Sequence, residues 1–181
     1  FADVNNDGKI TPADRTMIGD PTPNVTYGFS LGVDYKNWSF GIDMMGQGGN
    51  QIFRTWDNYN FAQFNYLAQR MDRWHGEGTS NSQPLLNSKH SINTLNSEYY
   101  IEDGKFFRIR NVQLAYSFDK SLLAKIRLQA LKVYVNIQNL KTWKHNTGYT
   151  PELGGTATAF GVDNGSYPVP AVYTFGINLT F

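Results

Sequence analysis

From residue 171 to Phe181 the chain alternates without interruption between large apolar and small or polar side chains. Tyr173, Phe175, Ile177, Leu179 and Phe181 fall on one face of an extended strand, and Thr174, Gly176, Asn178 and Thr180 on the other, because successive side chains of a strand point to opposite sides. Such a strand divides two unlike solvents. A strand of this kind with an aromatic as its last residue is typical of a barrel closing in a bacterial outer membrane, where the terminal aromatic is part of the signal read by the assembly machinery. The expectation is an all-β chain made of transmembrane antiparallel barrel strands.

Four further segments repeat the alternation. Val25, Tyr27, Phe29, Leu31, Val33 and Tyr35 share one face, with Thr26, Gly28, Ser30, Gly32 and Asp34 between them. Lys36 and Asn37 suit a tight hairpin turn, after which Trp38, Phe40, Ile42 and Met44 alternate with Ser39, Gly41 and Asp43. In residues 105–118, Val112, Leu114, Tyr116 and Phe118 share a face, whereas 106–110 are ambiguous in phase and are expected to contain a bulge. Leu131, Val133, Val135 and Ile137 complete the set, giving five predicted strands with the C-terminal one.

An eleven-residue strand at about 3.3 Å per residue, tilted by about 45°, rises roughly 25 Å, the height of the apolar band of an outer-membrane barrel. A soluble sandwich would use strands of about five or six residues. Connections 36–37 and 119–130 are short, while 47–104 and 140–170 are long and rich in Gly, Asn, Thr and aromatics, the turn-and-loop asymmetry of such barrels. With the C-terminus in the periplasm, residues 1–24, 47–104 and 140–170 become extracellular loops, and 25–181 hold the barrel strands. Five strands that begin on the outside cannot close alone, since bacterial single-chain barrels have even strand numbers and start and end in the periplasm. Phe1 follows no initiator Met or charged leader, so an internal start is expected.

Composition agrees and removes rivals. Hydrophobic residues make up 40%, and no run approaches the roughly 20 apolar residues of a membrane helix. The mean hydropathy is -0.45, compatible with strands that turn half their residues away from lipid. The 15% aromatic share suits interfacial girdles and also a sugar-binding β-domain. A net charge of +1 gives no argument for nucleic acid, and the absence of cysteine removes disulfide and thiolate chemistry. His75, His90 and His145 have no carboxylate or nucleophile at useful spacing, so no enzyme is expected.

Residues 3–14 carry the sharpest local chemistry. Asp3, Asn5, Asp7 and Asp14 place oxygen side chains at positions 1, 3, 5 and 12 of a twelve-residue loop, with Gly8 at position 6 and the Lys9 carbonyl at position 7. That spacing wraps a chain around one calcium ion, which takes six to eight oxygens. Asp14 stands where an EF-hand has Glu. The expected role is structural, locking a surface loop; a metal-free Asn/Asp/Gly turn is the alternative.

The run from Asp3 to Arg15, then Ile18-Gly-Asp-Pro-Thr-Pro23, Thr26-Tyr-Gly-Phe29 and Gly46-Gln-Gly-Gly-Asn50, resembles the C-terminal region of SusC/RagA-type TonB-dependent transporters. Arg73-Trp74, Tyr100-Ile-Glu-Asp-Gly104, the stretches 108–116 and 133–140, Gly148-Tyr-Thr-Pro-Glu152 and Tyr167-Pro-Val-Pro170 continue the resemblance in the same order. It implies the C-terminal strands of a larger, about 22-stranded, plugged barrel in the outer membrane of a Gram-negative Bacteroidetes-type bacterium. It also implies a SusD-like surface lipoprotein as lid, TonB acting through a plug that these residues lack, and import of oligosaccharides or peptides. A non-transporting outer-membrane barrel and a secreted calcium-stabilised carbohydrate-binding β-domain are the alternatives.

Loop 47–104 holds Phe53, Trp56, Tyr59, Phe61, Phe64, Tyr66 and Trp74, with a short helix expected over 61–74. Sugar rings and protein surfaces both stack on aromatics. Trp56, Tyr59 and Trp74 are the candidates for ligand or lid contact. Residues 102–104 read as the turn into the next strand.

Overall fold

The computed structural model describes residues 1–57, 67–86, 93 and 95–181. Five long strands form one antiparallel sheet in the order β1 (Val25–Tyr35), β2 (Trp38–Gly48), β5 (Phe106–Ser117), β6 (Ala130–Lys144) and β8 (Val172–Thr180). They are the five strands that the alternation predicts. Lys36 and Asn37 join Tyr35 to its partner Trp38, with Lys36 at φ 52°. The β5–β6 connection contains a one-turn helix, α1 (Lys120–Leu123), whose Leu123 is buried. No helix among the described residues is long and apolar enough to cross a membrane.

Cross-strand rows follow from the register. Val33, Phe40, Leu114, Val135 and Phe175 lie side by side, flanked by the row Leu31, Ile42, Val112, Ile137, Tyr173 and by the row Tyr35, Trp38, Tyr116, Val133, Ile177. The rows between them point the other way: Gly32, Gly41, Gln113, Asn136, Thr174, and Asp34, Ser39, Ala115, Tyr134, Gly176. One face is therefore apolar across all five strands and the other is small or polar.

The ends of the sheet are staggered. Beyond the row Tyr35–Ile177, β8 runs on to Thr180; beyond the row Ser30–Val172, β1 runs on to Val25. At about 3.4 Å per residue along a strand and about 4.8 Å between strands, these offsets correspond to a strand tilt of roughly 30–40°. Barrel strands crossing a membrane tilt by about 35–45°.

The expected bulge lies at Arg110. Asp43 pairs with Asn111 and Met44 with Ile109, so Arg110 has no opposite number on β2. On the β6 side it faces Asn139 and Leu140, between the pairs Asn111–Gln138 and Ile109–Lys141. The bulge moves the apolar face from Val112 to Ile109 and Phe107. Asn139 takes up its share with φ 52°, a conformation Asn tolerates well.

Two predicted loop boundaries move. Residue 47, placed at the start of a loop, belongs to β2, and residues 140–144, placed in a loop, belong to β6. At Gly46, within β2, the Tyr27 hydroxyl would lie 2.4 Å from a Cβ built there. The aromatic ring thus takes the space of the missing side chain and the strand continues.

Residues of the long connections build a second, three-stranded sheet in the order β4 (Ile101–Asp103), β3 (Gln51–Arg54), β7 (Val162–Asp163). Ile52, Tyr100 and Leu153 of these connections are buried, as is Phe106 at the adjoining end of β5. Residues 102–103, expected as turn, pair with β3 as strand. Of the helix expected over 61–74, residues 61–66 lie outside the described residues, and Ala68–Asp72 form a 3-10 turn.

Candidate membrane wall and loop assembly

The apolar face carries an aromatic cluster at each end. At the end with the short connections, Trp38 meets Tyr116 at 4.8 Å between ring centroids, and Tyr116 meets Phe118 at 5.0 Å. At the end with the long connections, Tyr27 stacks toward Phe107 at 6.4 Å across Gly46, and Phe107 on Trp143 at 5.7 Å. Along β1, Tyr27 and Tyr35 are separated by about 27 Å of strand, or about 19–22 Å of height at barrel tilts. Rings that are apolar in body and polar at the tip favour the two edges of a hydrocarbon layer. Phe175 is 71% exposed and Ile177 56%, and the face as a whole is far larger than the few hundred Å² of apolar patch a soluble monomer shows.

The opposite face is built for water and for close backbone approach. Asp43 accepts from Ser30 Oγ at 2.7 Å and from Asn111 Nδ2 at 3.4 Å. Tyr134 lies over Gly176, where a Cβ would come within 2.2 Å of its ring. Further toward the long connections, buried Arg108 donates through Nε to Thr142 Oγ1 at 2.7 Å and pairs with Glu152. That pair ties the wall to residues past β6.

The loop assembly centres on two buried arginines. Arg54, on β3, pairs with Asp57 at 2.9 Å and Glu102 at 2.8 Å. Its guanidinium is faced by the rings of Tyr99, Trp56 and Tyr100 at 5.5, 5.8 and 5.9 Å. Burial acts to lower the Arg54 pKa, but the charges of Asp57 and Glu102 outweigh it and raise the value. Arg70 reaches the same Asp57 at 3.6 Å and also donates to its carbonyl at 3.3 Å. Glu102 accepts from Thr147 N–H at 2.9 Å and Thr147 Oγ1 at 2.6 Å, so one carboxylate fastens residues 54, 102 and 147. Burial raises the pKa of Tyr100, whose hydroxyl donates to the Asn93 carbonyl at 2.6 Å.

Asp163, 1% exposed, accepts from the N–H groups of Gly165 and Ser166 at 2.9 and 3.1 Å. A Cβ at Gly148 would stand 1.8 Å from its other carboxylate oxygen, so only glycine fits there. The N-terminal segment docks beside β3: Gln51 N–H donates to the Asp20 carbonyl at 2.8 Å, and Asp20 N–H to Gln51 Oε1 at 3.0 Å. A cleft of about 230 Å³, lined in part by Ile18, Pro21, Phe53, Ile101 and Phe160, lies between these pieces.

The candidate contact residues separate. Trp56 is half-buried and stacked toward Arg54, with its indole N–H buried and unpartnered. Trp74 is 42% exposed, and its backbone N–H donates to the Gln83 carbonyl at 2.9 Å. Tyr59 lies outside the described residues, as do Phe61, Phe64, Tyr66 and His90.

In the 3–14 loop the oxygen side chains converge on backbone donors. Asp3 accepts from Asp7 N–H at 3.2 Å and Gly8 N–H at 2.7 Å, Asn5 from Asp7 N–H at 3.0 Å, and Asp7 from Lys9 N–H at 2.8 Å. Asp14 accepts from Thr11, Val4 and Asn5 N–H groups at 2.7, 2.9 and 3.3 Å. The Thr11 backbone bond, ahead of those from Asn5 and Val4, holds the Asp14 carboxyl below the usual range despite partial desolvation. Gly8 turns the chain at φ 79°. No three His, Asp or Glu side chains among the described residues converge at metal-ligating distance. The donors are hard oxygens, the type calcium takes, and the loop is already closed by its own N–H groups.

A sheet with one apolar face and one polar face, aromatic at both ends of the apolar side, is the wall of a membrane barrel. No family model matches the chain. TonB-dependent receptor P3 of Formosa agariphila is 32% identical over 195 residues, taking in 100% of this chain and 19% of the relative. TonB-dependent receptor SusC of Bacteroides thetaiotaomicron is 23% identical over 185 residues, again 100% of this chain and 17% of the relative. The solved RagAB peptide importer in its closed-closed state superposes with a TM-score of 0.75 at 26% identity, over 91% of this chain and 18% of that one. The chain belongs to the SusC/RagA-type TonB-linked transporter family.

Members of this family are outer-membrane receptors and transporters, not enzymes. The chain spans about a fifth of the length of the curated relatives it matches. Its open five-stranded sheet accordingly corresponds to one arc of a SusC/RagA-type barrel. Sequence reasoning missed the Arg54–Asp57–Glu102–Arg70 cluster. Its one visible sign is two arginines in a stretch dense with Trp and Tyr, the pairing that cation–π contacts use.

Proposed function

We propose that this chain supplies part of the wall and the outer loops of a TonB-dependent transporter that imports peptides or oligosaccharides with a SusD-like lipoprotein as lid. The observation that carries the reading is the five-strand apolar face with aromatic rings at both ends, backed by a polar face suited to a water-filled, plugged lumen. A secreted sugar-binding module would need a second sheet over that face, and none is formed among the described residues.

In this reading residues 1–24 and both long connections face outward, and the Arg54 cluster makes a stiff roof on which the lid rests. Trp56, Tyr59 and Trp74 are assigned to lid or substrate contact. One calcium ion, held by Asp3, Asn5, Asp7, the Lys9 carbonyl and Asp14, stiffens a loop that its own hydrogen bonds already close. The peptide class draws support from the relatives described as a RagAB peptide importer.

Uptake in cells carrying the full-length protein tests the proposal. Labelled peptides and labelled oligosaccharides should include one pool whose entry needs the full-length gene, a gene for a SusD-like lipoprotein and TonB together. Undiminished uptake of both pools without the gene would point to the non-transporting barrel.

A further inference from the structure

We propose that the outer end of the apolar face holds the phosphate-bearing headgroup of a membrane lipid, seated between Lys141 and Lys105 against Trp143 and Phe107. The inference rests on the reading that the sheet spans a membrane with its long connections at one surface. Register places the groups. The row Phe29, Met44, Ile109, Lys141 lies one step nearer the middle of the strands than the row Tyr27, Gly46, Phe107, Trp143. One step further out, Lys105 follows Gly48 on the same side, within 3.8 Å of a Cβ built there, and His145 continues the parity of Lys141 and Trp143.

Two lysines therefore bracket one aromatic pair from below and above on the lipid-facing side. A groove of about 700 Å³ at this end of the sheet is lined by Lys105, Phe107, Lys141 and Trp143 and, from the other parity, by Phe106 and Thr142. The cations differ in what already occupies them. Lys144, of opposite parity, is spent on the carbonyls of Asn146 and Gly148. Lys105 pairs with Asp103 at 2.8 Å, but both side chains are about half exposed, an arrangement of small net value. Lys141 makes no ion pair among the described residues.

Depth decides the ligand. Lys141 lies in the row of Phe29 and Met44, four rows outward of the row Val33–Phe175 that crosses the middle of the apolar face, so it stands about 10 Å above the midplane of a band about 25 Å tall. A lysine stem is long enough to carry its ammonium from there to the headgroup layer, with the methylenes left in hydrocarbon. At that level the available anions are lipid phosphates. Basic groups beside a membrane surface attract them at close range, and the rings of Trp143 and Phe107 offer apolar faces to the rest of the molecule.

The test uses the full-length protein extracted from its own membrane. Native mass spectrometry compares co-purifying phosphorylated lipid in wild type, the double variant Lys105→Gln/Lys141→Gln, and Lys36→Gln, which removes a cation lying 5.3 Å over the Tyr35 ring at the opposite end. The double variant should retain phosphorylated lipid on the order of tenfold less or lower, with Lys36→Gln unchanged. Lys105→Arg/Lys141→Arg should restore retention, which guards against misfolding as the cause. Delipidated wild type should rebind the phosphorylated lipid and not its enzymatically dephosphorylated form, with inorganic phosphate failing to displace it. Equal retention in the double variant and Lys36→Gln, equal rebinding of the dephosphorylated lipid, or displacement by free phosphate would each overturn the proposal. Substrate uptake, scored separately in the same cells, shows whether the transport reading stands or falls on its own.

Discussion

Replacing Ile177 by Arg in the full-length protein tests the assignment of faces. Ile177 lies opposite Val133 on the apolar side, one residue past the centre of β8 (Val172–Thr180). At about 2.5 Å of height per tilted residue it sits within about 3 Å of the midplane. An Arg at that depth on the lipid side of a barrel costs about 2–4 kcal/mol, equivalent to about 30- to 1,000-fold in the folding equilibrium. The neighbouring change Asn178→Arg points the same guanidinium into the lumen. Its cross-strand partner is Lys132, so it gains one like-charge contact of about 0.2–1 kcal/mol. Urea unfolding of both variants in lipid vesicles, at matched protein and salt, should therefore separate them by more than about 1 kcal/mol, with Ile177→Arg the weaker. Equal stabilities, or Asn178→Arg the less stable, would mean that the apolar face does not meet hydrocarbon.

Arg54→Met should leave Glu102 without its cation and Asp57 with only the longer contact to Arg70, a loss of up to about 3–5 kcal/mol; hydrogen exchange should quicken at Phe53 and Thr147 while β1 keeps its protection. The Asp14 carboxyl has a lowered pKa in the folded loop, so its stabilisation is complete above the ordinary carboxylate value and is lost as pH falls through the lowered one. Amide exchange at Val4, Asn5 and Thr11 followed downward from pH 5 should show that loss, and a flat profile would contradict it. Calorimetric titration with calcium should give a binding event in the full-length protein that Asp7→Ala removes without altering barrel unfolding; identical titrations of the two would exclude the 3–14 loop as the site.

How much of the molecule could be read from its residues depends on which solvent each residue meets. In β1 a water-filled lumen on one side and hydrocarbon on the other leave almost no freedom at any position, so Val25 to Tyr35 alternate cleanly and the strand is legible to the residue. In β5 the Arg110 bulge moves the apolar positions from odd to even numbers, and it shows as the phase conflict over 106–110. At Asn139 the same irregularity interrupts the pattern in β6, and the strand beyond it was invisible although Lys141 and Trp143 resume the earlier parity. Outside the membrane the constraint disappears. Gln51–Arg54 is too short to display a period, and what fixes it is a guanidinium whose carboxylate partners come from positions 57 and 102. Such a contact leaves no local trace, since the second partner is 48 residues away. The 3–14 loop is the opposite case: its hydrogen bonds span ten residues or fewer, so the spacing of Asp3, Asn5, Asp7, Gly8 and Asp14 suffices to describe its closure. Legibility thus follows the range of the interaction that fixes each part, from adjacent residues in the wall to distant loops in the roof. The outer loop assembly is of the second kind, and there relatives with the same wall can differ most.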